Sequence, residues 1–317
     1  MKNFGMLGKW HVHAEEYANR LNALPGCAVT RVWDADPEKA EAWANSLKAK
    51  ASTLEEILTD PTIEGVCICT ATNQHPEILQ KAIESGKAVF TEKVLTLKTQ
   101  EAEKIREAVK AYHTRFAISF PHYSEPATQF SVGAAKSGKL GKINYARVRK
   151  AHNGATGDWL PPHFYDPVAC GGGAMIDLGA HPMYLLCELM NGLPDQVQSS
   201  FTHVTGKPVE DNAVSLLTFA DGAIGVSETG FLSVHYPFTI EIGGTEGALL
   251  QRDEKVSWCA PETGNQWVEV QNLPEAKKQP VELWALAESP EEIDPLFGID
   301  AAVRLTRVME MAYGRGN

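Results

Sequence analysis

Lys2-Asn3-Phe4-Gly5-Met6-Leu7-Gly8, running into Lys9-Trp10-His11-Val12-His13-Ala14-Glu15-Glu16-Tyr17-Ala18, is the stretch that decides the fold. An apolar run ends at a glycine, and a segment of helical composition follows. Strand, tight turn and helix in that order open a dinucleotide-binding unit. Read as G-x-G-x-x-G, the three glycine places hold Gly8, Trp10 and His13, so only the first glycine is kept. A helix N-terminus still presents unpaired N–H groups and a positive dipole end to a pyrophosphate. Gly8, Trp10 and His11 are therefore candidate cofactor contacts. Trp10 either packs on the cofactor or fills the space between turn and helix.

A second strand, 28–33, ends in Asp34-Ala35-Asp36-Pro37. Asp34 stands about where a ribose-binding acid is expected at the end of the second strand. A carboxylate there accepts from ribose hydroxyls and repels a 2′-phosphate, and Ala35 adds no basic group. Both points favour NAD over NADP. Asp36 reads as the N-cap of a helix opening at Pro37. A short helix at 54–58, a strand at 65–70 and a helix from about Pro76 to Ser85 continue the alternation. A strand at 88–90 then runs into Thr91-Glu92-Lys93. Strands alternating with helices over roughly the first 120 residues predict a doubly wound parallel sheet. Ligands of such sheets bind beyond the carboxyl ends of the strands. Gly8, Asp34, Thr70, Ala71, Asn73, His75, Glu92 and Lys93 all fall at such ends and are expected to bind the cofactor.

The chain has 317 residues, enough for two domains, with 44% hydrophobic and 22% charged residues. The net charge of −11 argues against nucleic acid or an anionic membrane as partner. No apolar run reaches bilayer length and no signal peptide is expected, which makes the cytoplasm the predicted location. Six cysteines in such a chain do not make a disulfide scaffold. Cys67 and Cys69 read as small apolar residues of a buried strand. No Cys/His cluster with zinc-ligand spacing stands out, and no metal is expected.

A second decisive stretch is Gly171-Gly172-Gly173-Ala174-Met175-Ile176-Asp177-Leu178-Gly179-Ala180-His181. On one helix, Asp177 and His181 would share a face one turn apart. A carboxylate so placed can hold an imidazole in one tautomer and support proton abstraction from a hydroxyl. The plainer reading is a helix start with a surface ion pair.

Four segments in this order resemble the Gfo/Idh/MocA oxidoreductases, the glucose-fructose oxidoreductase and inositol dehydrogenase group. They are the turn at Gly8, Thr70-Ala71-Thr72-Asn73-Gln74-His75, Thr91-Glu92-Lys93-Val94, and the glycine run leading to His181. The resemblance implies that Lys93 lies at the nicotinamide and binds the reacting hydroxyl. It implies further that His181 is the general base and that Asp177 assists it. Val94 stands where the family usually has proline, Tyr184 where many members have a second aspartate, and Pro182 directly follows His181. Pro182 predicts a kink or a helix that starts there.

The first domain is expected to span 1–120 and the second 121–317, with a helix at about 300–311 packing back on the body. Pro121-His122-Tyr123 marks the crossing, and His122 and Tyr123 are candidate substrate contacts. A helix is expected at about 126–136 and an alternating strand at 142–149. The loop after that strand is rich in polar and aromatic groups. Trp159 or Tyr165 suits stacking on a sugar face, and His152, Asn153 or His163 suits bonding its hydroxyls. Strand patterns at 196–204, 213–219, 223–231, 238–243, 248–252 and 256–259 predict an α+β domain with an open, mostly antiparallel sheet. By the resemblance, that sheet pairs with a second copy, giving a homo-oligomer (dimer or tetramer).

The leading expectation is an NAD-dependent oxidoreductase acting on a small sugar, glycoside or cyclic polyol. One alternative is a redox-neutral NAD-dependent glycoside hydrolase working through transient oxidation and elimination. A second is a non-catalytic ligand sensor on the same fold.

Overall fold

The computed structural model describes residues 1–315. The chain divides into two compact units. Met1–Phe120 and Lys278–Thr306 make the first, and Pro121–Lys277 with the chain from Arg307 onward makes the second.

The first unit is built on β1 (Lys2–Leu7), β2 (Cys27–Trp33), β3 (Lys50–Ala51), β4 (Ile63–Ile68), β5 (Ala88–Thr91) and β6 (Phe116–Ile118). They form one six-stranded sheet in the order β3-β2-β1-β4-β5-β6, and every pair is parallel. This is the doubly wound order, whose reversal falls between β1 and β4. The expected parallel sheet is therefore present. The two-residue edge strand β3 is an addition, since it is too short to show a period. The helix after β1 starts at Ala14, not at Lys9, so 8–13 is a longer turn than the composition suggested. Asp36 caps the next helix as expected, accepting from the amides of Glu38 and Lys39 at 3.0 and 3.4 Å.

Lys278–Thr306 belongs with the first unit, whereas the sequence reading ran the second domain unbroken from 121 to 317 (of which 316–317 lie outside the described residues). Trp284, on the helix Pro280–Leu286, supplies the reason. Its ring lies 5.1 Å from that of Phe4 and 5.8 Å from that of Phe90. Its indole N–H donates to the Arg115 carbonyl at 3.2 Å. A Cβ at position 65 would stand 2.8 Å from the indole, so Gly65 leaves the room it fills. Lys2 Nζ adds bonds to the carbonyls of Ala285 and Ala287 at 3.1 Å, and Arg115 one to the Ala287 carbonyl at 2.8 Å, tertiary ties that local sequence pattern does not announce.

The second unit carries β7 (Ile143–Ala151), β8 (Gln196–Thr202), β9 (Asn212–Thr218), β10 (Ile224–Gly230), β11 (Thr239–Gly244), β12 (Ala248–Arg252), β13 (Lys255–Cys259) and β14 (Val268–Glu269). The sheet order is β14-β13-β12-β11-β7-β10-β9-β8. Only β7 with β10 is parallel; the other pairs are antiparallel, as expected of this domain. In β9 the residues Ala213, Ser215 and Leu217 are buried while Val214 and Leu216 are exposed. That alternation marks a sheet with one covered face. Helices Pro126–Lys136 and Ala180–Leu189 pack on β12 and on β7 and β10 respectively.

Candidate active site

In the first unit the expected cofactor residues gather at the carboxyl ends of β1, β2, β4 and β5. Gly8 has φ +84°, and a Cβ there would come within 2.6 Å of Thr70 Cγ2. The single glycine kept from the fingerprint is the one that both backbone angle and space require. The Gly8 amide donates to the Trp33 carbonyl at 2.7 Å, and the His11 amide to the Cys69 carbonyl at 3.0 Å. The Asp34 carboxylate accepts the Lys9 amide at 2.7 Å and the Asp36 amide at 2.9 Å, one on each oxygen. Each oxygen keeps a second lone pair for a hydroxyl. Thr70 Oγ1 is buried beside Gly8 without a hydrogen-bond partner. An orphaned buried hydroxyl at this point fits a bound group that completes its bonding. Ala71 is buried, Asn73 is exposed, and Trp10 is half-buried at the turn.

Glu92 is the hub of this unit, at 1% exposed. Its Oε1 lies 3.0 Å from His13 Nδ1 and 3.3 Å from His11 Nδ1 and accepts the Tyr17 hydroxyl, while Oε2 accepts the Lys93 amide at 3.0 Å. Burial favours the neutral acid, but His11, His13 and Lys93 outweigh it and hold the carboxyl far below its ordinary range. The Tyr17 phenol is pushed well up by burial and by Glu92, so it stays a donor. It also pairs with Ser119 Oγ at 2.7 Å. Lys93 is itself buried, and the Lys93–Val94 peptide is cis.

His75 holds the segment after Lys93. Its Nδ1 lies 3.1 and 3.2 Å from the carbonyls of Val94 and Leu95, and burial pushes its pKa down. The neutral ring therefore donates from Nδ1 and braces the backbone beyond Lys93. Cys67 and Cys69 are wholly buried with their sulfurs 3.7 Å apart, as expected of apolar strand residues.

In the second unit the glycine run is closely packed. Gly171 takes φ +80° at the end of the short helix Pro167–Cys170. A Cβ at position 172 would collide with the Tyr313 hydroxyl, and one at position 173 with the Glu210 carbonyl. The close approach that these glycines permit is thus to the protein's own groups. Glu210 Oε1 accepts the amides of Gly173 at 2.9 Å and Met175 at 3.0 Å, and the Tyr313 hydroxyl at 2.6 Å. Gly173 has no side chain to cap the helix Ala174–Asp177, and Glu210 supplies the missing acceptor.

Asp177 and His181 do not share one continuous helix. Asp177 closes the first, Leu178 and Gly179 intervene, and Ala180–Leu189 begins anew. Gly179 is packed so tightly on Met175 that a Cβ would collide with its carbonyl. Pro182 falls in the first turn of the new helix, where it forfeits no hydrogen bond, matching the expected helix start. His181 is buried, and its Nδ1 lies 3.3 Å from the Tyr184 hydroxyl. Tyr184, noted only as a departure from the family pattern, thus touches the expected base from the (i, i+3) position.

The His122 ring meets that of His181 edge-on at 4.7 Å and stacks on Phe238 at 4.3 Å. Its Nδ1 lies 2.7 Å from Glu125. His122, Glu125, Lys150, Phe238 and Asp253 line a cavity of about 720 Å³. Burial pushes the Lys150 ammonium below its ordinary value, against the pull of Glu125 and Asp253. Tyr123 is buried, and its hydroxyl donates to the Tyr184 carbonyl at 3.2 Å.

The polar-aromatic loop is partly committed to itself. Trp159 Nε1 donates to Asn153 at 3.2 Å, His152 stacks on Phe231 at 5.0 Å, and the buried Tyr165 donates to the Gly154 carbonyl at 3.3 Å. His163 is exposed, and Trp159 keeps 51% of its surface open. The sequence reading missed His13, Tyr17, Glu125, Lys150, Tyr184 and Glu210. The His11–His13 alternation and the His181–Tyr184 spacing carried a signal; Glu210 carried none.

Two family models match the chain. The oxidoreductase family model with an NAD-binding Rossmann fold covers residues 2–120, and the GFO/IDH/MocA C-terminal domain model covers 133–250. The chain belongs to the GFO/IDH/MocA oxidoreductases. It is 28% identical over 254 residues to a scyllo-inositol 2-dehydrogenase (NAD(+)) of Bacillus subtilis, covering 77% of this chain and 70% of that protein. It is 26% identical over 263 residues to a 1,5-anhydro-D-fructose reductase of Ensifer adhaerens, covering 80% and 76% respectively. A solved levoglucosan dehydrogenase in complex with NADH and levoglucosan superposes with a TM-score of 0.83 at 20% identity, over 99% of this chain and 98% of that one. At that identity the superposition speaks for the fold alone. Among the described residues no helix is long and apolar enough to cross a membrane.

Proposed function

We propose that this member of the family is an NAD-dependent dehydrogenase of a sugar, glycoside or cyclic polyol hydroxyl. The observation that carries the reading is the His181 environment. A buried imidazole is set by the Tyr184 hydroxyl and the His122 ring, next to a cavity lined by hydroxyl-bonding groups. The relatives named for inositols and an anhydro sugar support a polyol or sugar as substrate. Asp34, with Ala35 after it, supports NAD over NADP, since a 2′-phosphate would face a carboxylate.

In the first unit, Gly8, Trp10, His11, Asp34, Thr70, Ala71, Asn73 and Glu92 are the residues that would hold the cofactor. When bound, its nicotinamide supplies the hydride acceptor. Lys93 would donate to the substrate oxygen and stabilise the negative charge that develops there. In the second unit, His181 would take the hydroxyl proton, with Asp177 assisting. His122, Tyr123, Lys150 and Glu125 would bond further hydroxyls, and His152, Asn153, Trp159, His163 and Tyr165 form an outer set. The outer face of the eight-stranded sheet would pair with a second copy, giving the homo-oligomer.

Replacing Lys93, His181 or Asp177 by alanine is expected to lower kcat by about 100-fold or more. Full turnover in any one of them would refute that residue's role. Glycoside cleavage without net NADH would turn the reading to the redox-neutral hydrolase. NAD binding without turnover on any polyol would turn it to the sensor.

A further inference from the structure

The turn after β1 carries two histidines, and both lie against the buried Glu92. One ring nitrogen of His11, one of His13 and a Glu92 carboxylate oxygen lie within 4.8 Å of one another. The two nitrogens stand 3.3 and 3.0 Å from the same Oε1. A tetrahedral ion with bonds of about 2.0–2.1 Å spaces its ligand atoms about 3.3–3.4 Å apart. Both nitrogen–oxygen separations are therefore within tenths of an ångström of that spacing.

The bonding around His11 points the same way. The backbone amide of His13 lies 3.3 Å from His11 Nδ1. Facing it at 3.3 Å is an oxygen of an ionised carboxylate. Two imidazole nitrogens converging on one buried carboxylate oxygen set ligand-type atoms around a negative charge, where a cation is favoured. Glu92 is in turn braced on its far side by Tyr17 and by the Lys93 amide, the outer-shell support that metal-binding carboxylates have. His13 keeps 39% of its side chain in solvent, which gives an entry path.

We propose that His11, His13 and Glu92 form a binding site for one late first-row divalent metal ion, of the zinc class. Two imidazoles and one carboxylate suit zinc, cobalt or nickel, whereas magnesium and calcium take oxygen sets. Bound there, the ion ties the turn after β1 to the end of β5, next to Lys93. The inference does not depend on the proposed reaction.

The test is titration of the full chain, stripped with chelator and free of nucleotide, with Co²⁺ followed by visible absorption and with Zn²⁺ followed by calorimetry. The expected result is a single equivalent with micromolar or tighter affinity, a cobalt spectrum of nitrogen and oxygen ligation, and displacement of cobalt by zinc. His13→Gln, at a half-exposed position that folding tolerates, is expected to weaken binding at least about tenfold, as even outer-shell changes do. Glu92→Gln should do the same with an unchanged far-ultraviolet spectrum. His203→Gln, on the exposed turn after β8, should leave the affinity as it is. Absence of stoichiometric cobalt binding would overturn the inference and leave the cluster a proton-bridged hydrogen-bond network. Binding that survives His13→Gln with a sulfur-to-cobalt charge-transfer band would overturn it in favour of the Cys67–Cys69 pair.

Discussion

Replacing Glu210 by alanine removes an acceptor that no nearby residue replaces. Three donors converge on its Oε1: the amides of Gly173 and Met175 at 2.9 and 3.0 Å and the Tyr313 hydroxyl at 2.6 Å. Glu210 is 5% exposed, so water does not readily take its place. A surface N-cap is worth about 1 kcal/mol, and hydrogen bonds to a buried charged group about 1.5–3 kcal/mol each. Part of that is offset, because the variant no longer buries a carboxylate. The net loss is about 3 kcal/mol, which for a unit of this size lowers Tm by roughly 6–12 °C. Glu210→Gln keeps an acceptor oxygen and should lose roughly half as much. Tyr313→Phe removes one donor and should lose about 1 kcal/mol. The helix that carries Asp177 starts at this cap, so kcat should fall in Glu210→Ala. The NAD dissociation constant should not, because the cofactor residues belong to the other unit. Thermal melting, calorimetric NAD binding and steady-state rates on the three variants make the check. A Tm within about 2 °C of wild type for Glu210→Ala, which is under 1 kcal/mol, would refute the capping argument.

Gly8→Ala forces an L-residue to φ +84° with its Cβ 2.6 Å from Thr70, so the NAD dissociation constant should rise about tenfold or more in a calorimetric titration. Trp284→Ala empties the space between Phe4, Phe90 and Gly65, and should cost about 3–5 kcal/mol in urea unfolding. Glu228 is held by Arg147 at 2.8 Å and Arg149 at 3.1 Å, and Arg147 with its partner keeps the carboxyl below its ordinary value. A depressed carboxyl stabilises the fold above its unfolded value and ceases to as pH falls through its folded one. Glu228→Gln should therefore be less stable than wild type by about 1 kcal/mol at pH 7, with the gap closing below about pH 4.

The fold was legible because its signals are local and repeated. Alternating strands and helices over 1–120, and period-two strands after 196, each depend on many residues. The candidate site residues could be placed from sequence only where they followed the chain: Gly8 before its turn, Asp34 at the end of β2, and Glu92-Lys93 at the end of β5. What escaped was tertiary. The segment around Trp284 returns to the first unit through its indole and through backbone carbonyls held by Lys2 and Arg115, and Glu210 caps a helix that begins 36 residues earlier, at Ala174. The helix break between Asp177 and His181 was signalled by Pro182 alone, since the spacing of the two residues by itself suits one helix. His13 was counted as a missing glycine, although the structure turns its imidazole onto Glu92. Tyr184 was counted as a missing aspartate, although its hydroxyl lies on the expected base.

The proposed reaction is hydride transfer between a polyol-type hydroxyl and NAD. Its most direct test is incubation of the full chain with NAD+ and a panel of inositols, free sugars and glycosides. Nicotinamide reduction is read by absorbance and products by chromatography in the same tubes. The expected result is NADH in equal amount to an oxidised polyol or sugar, abolished in His181→Ala. Glycoside cleavage without net NADH, or binding with no turnover across the panel, would contradict it.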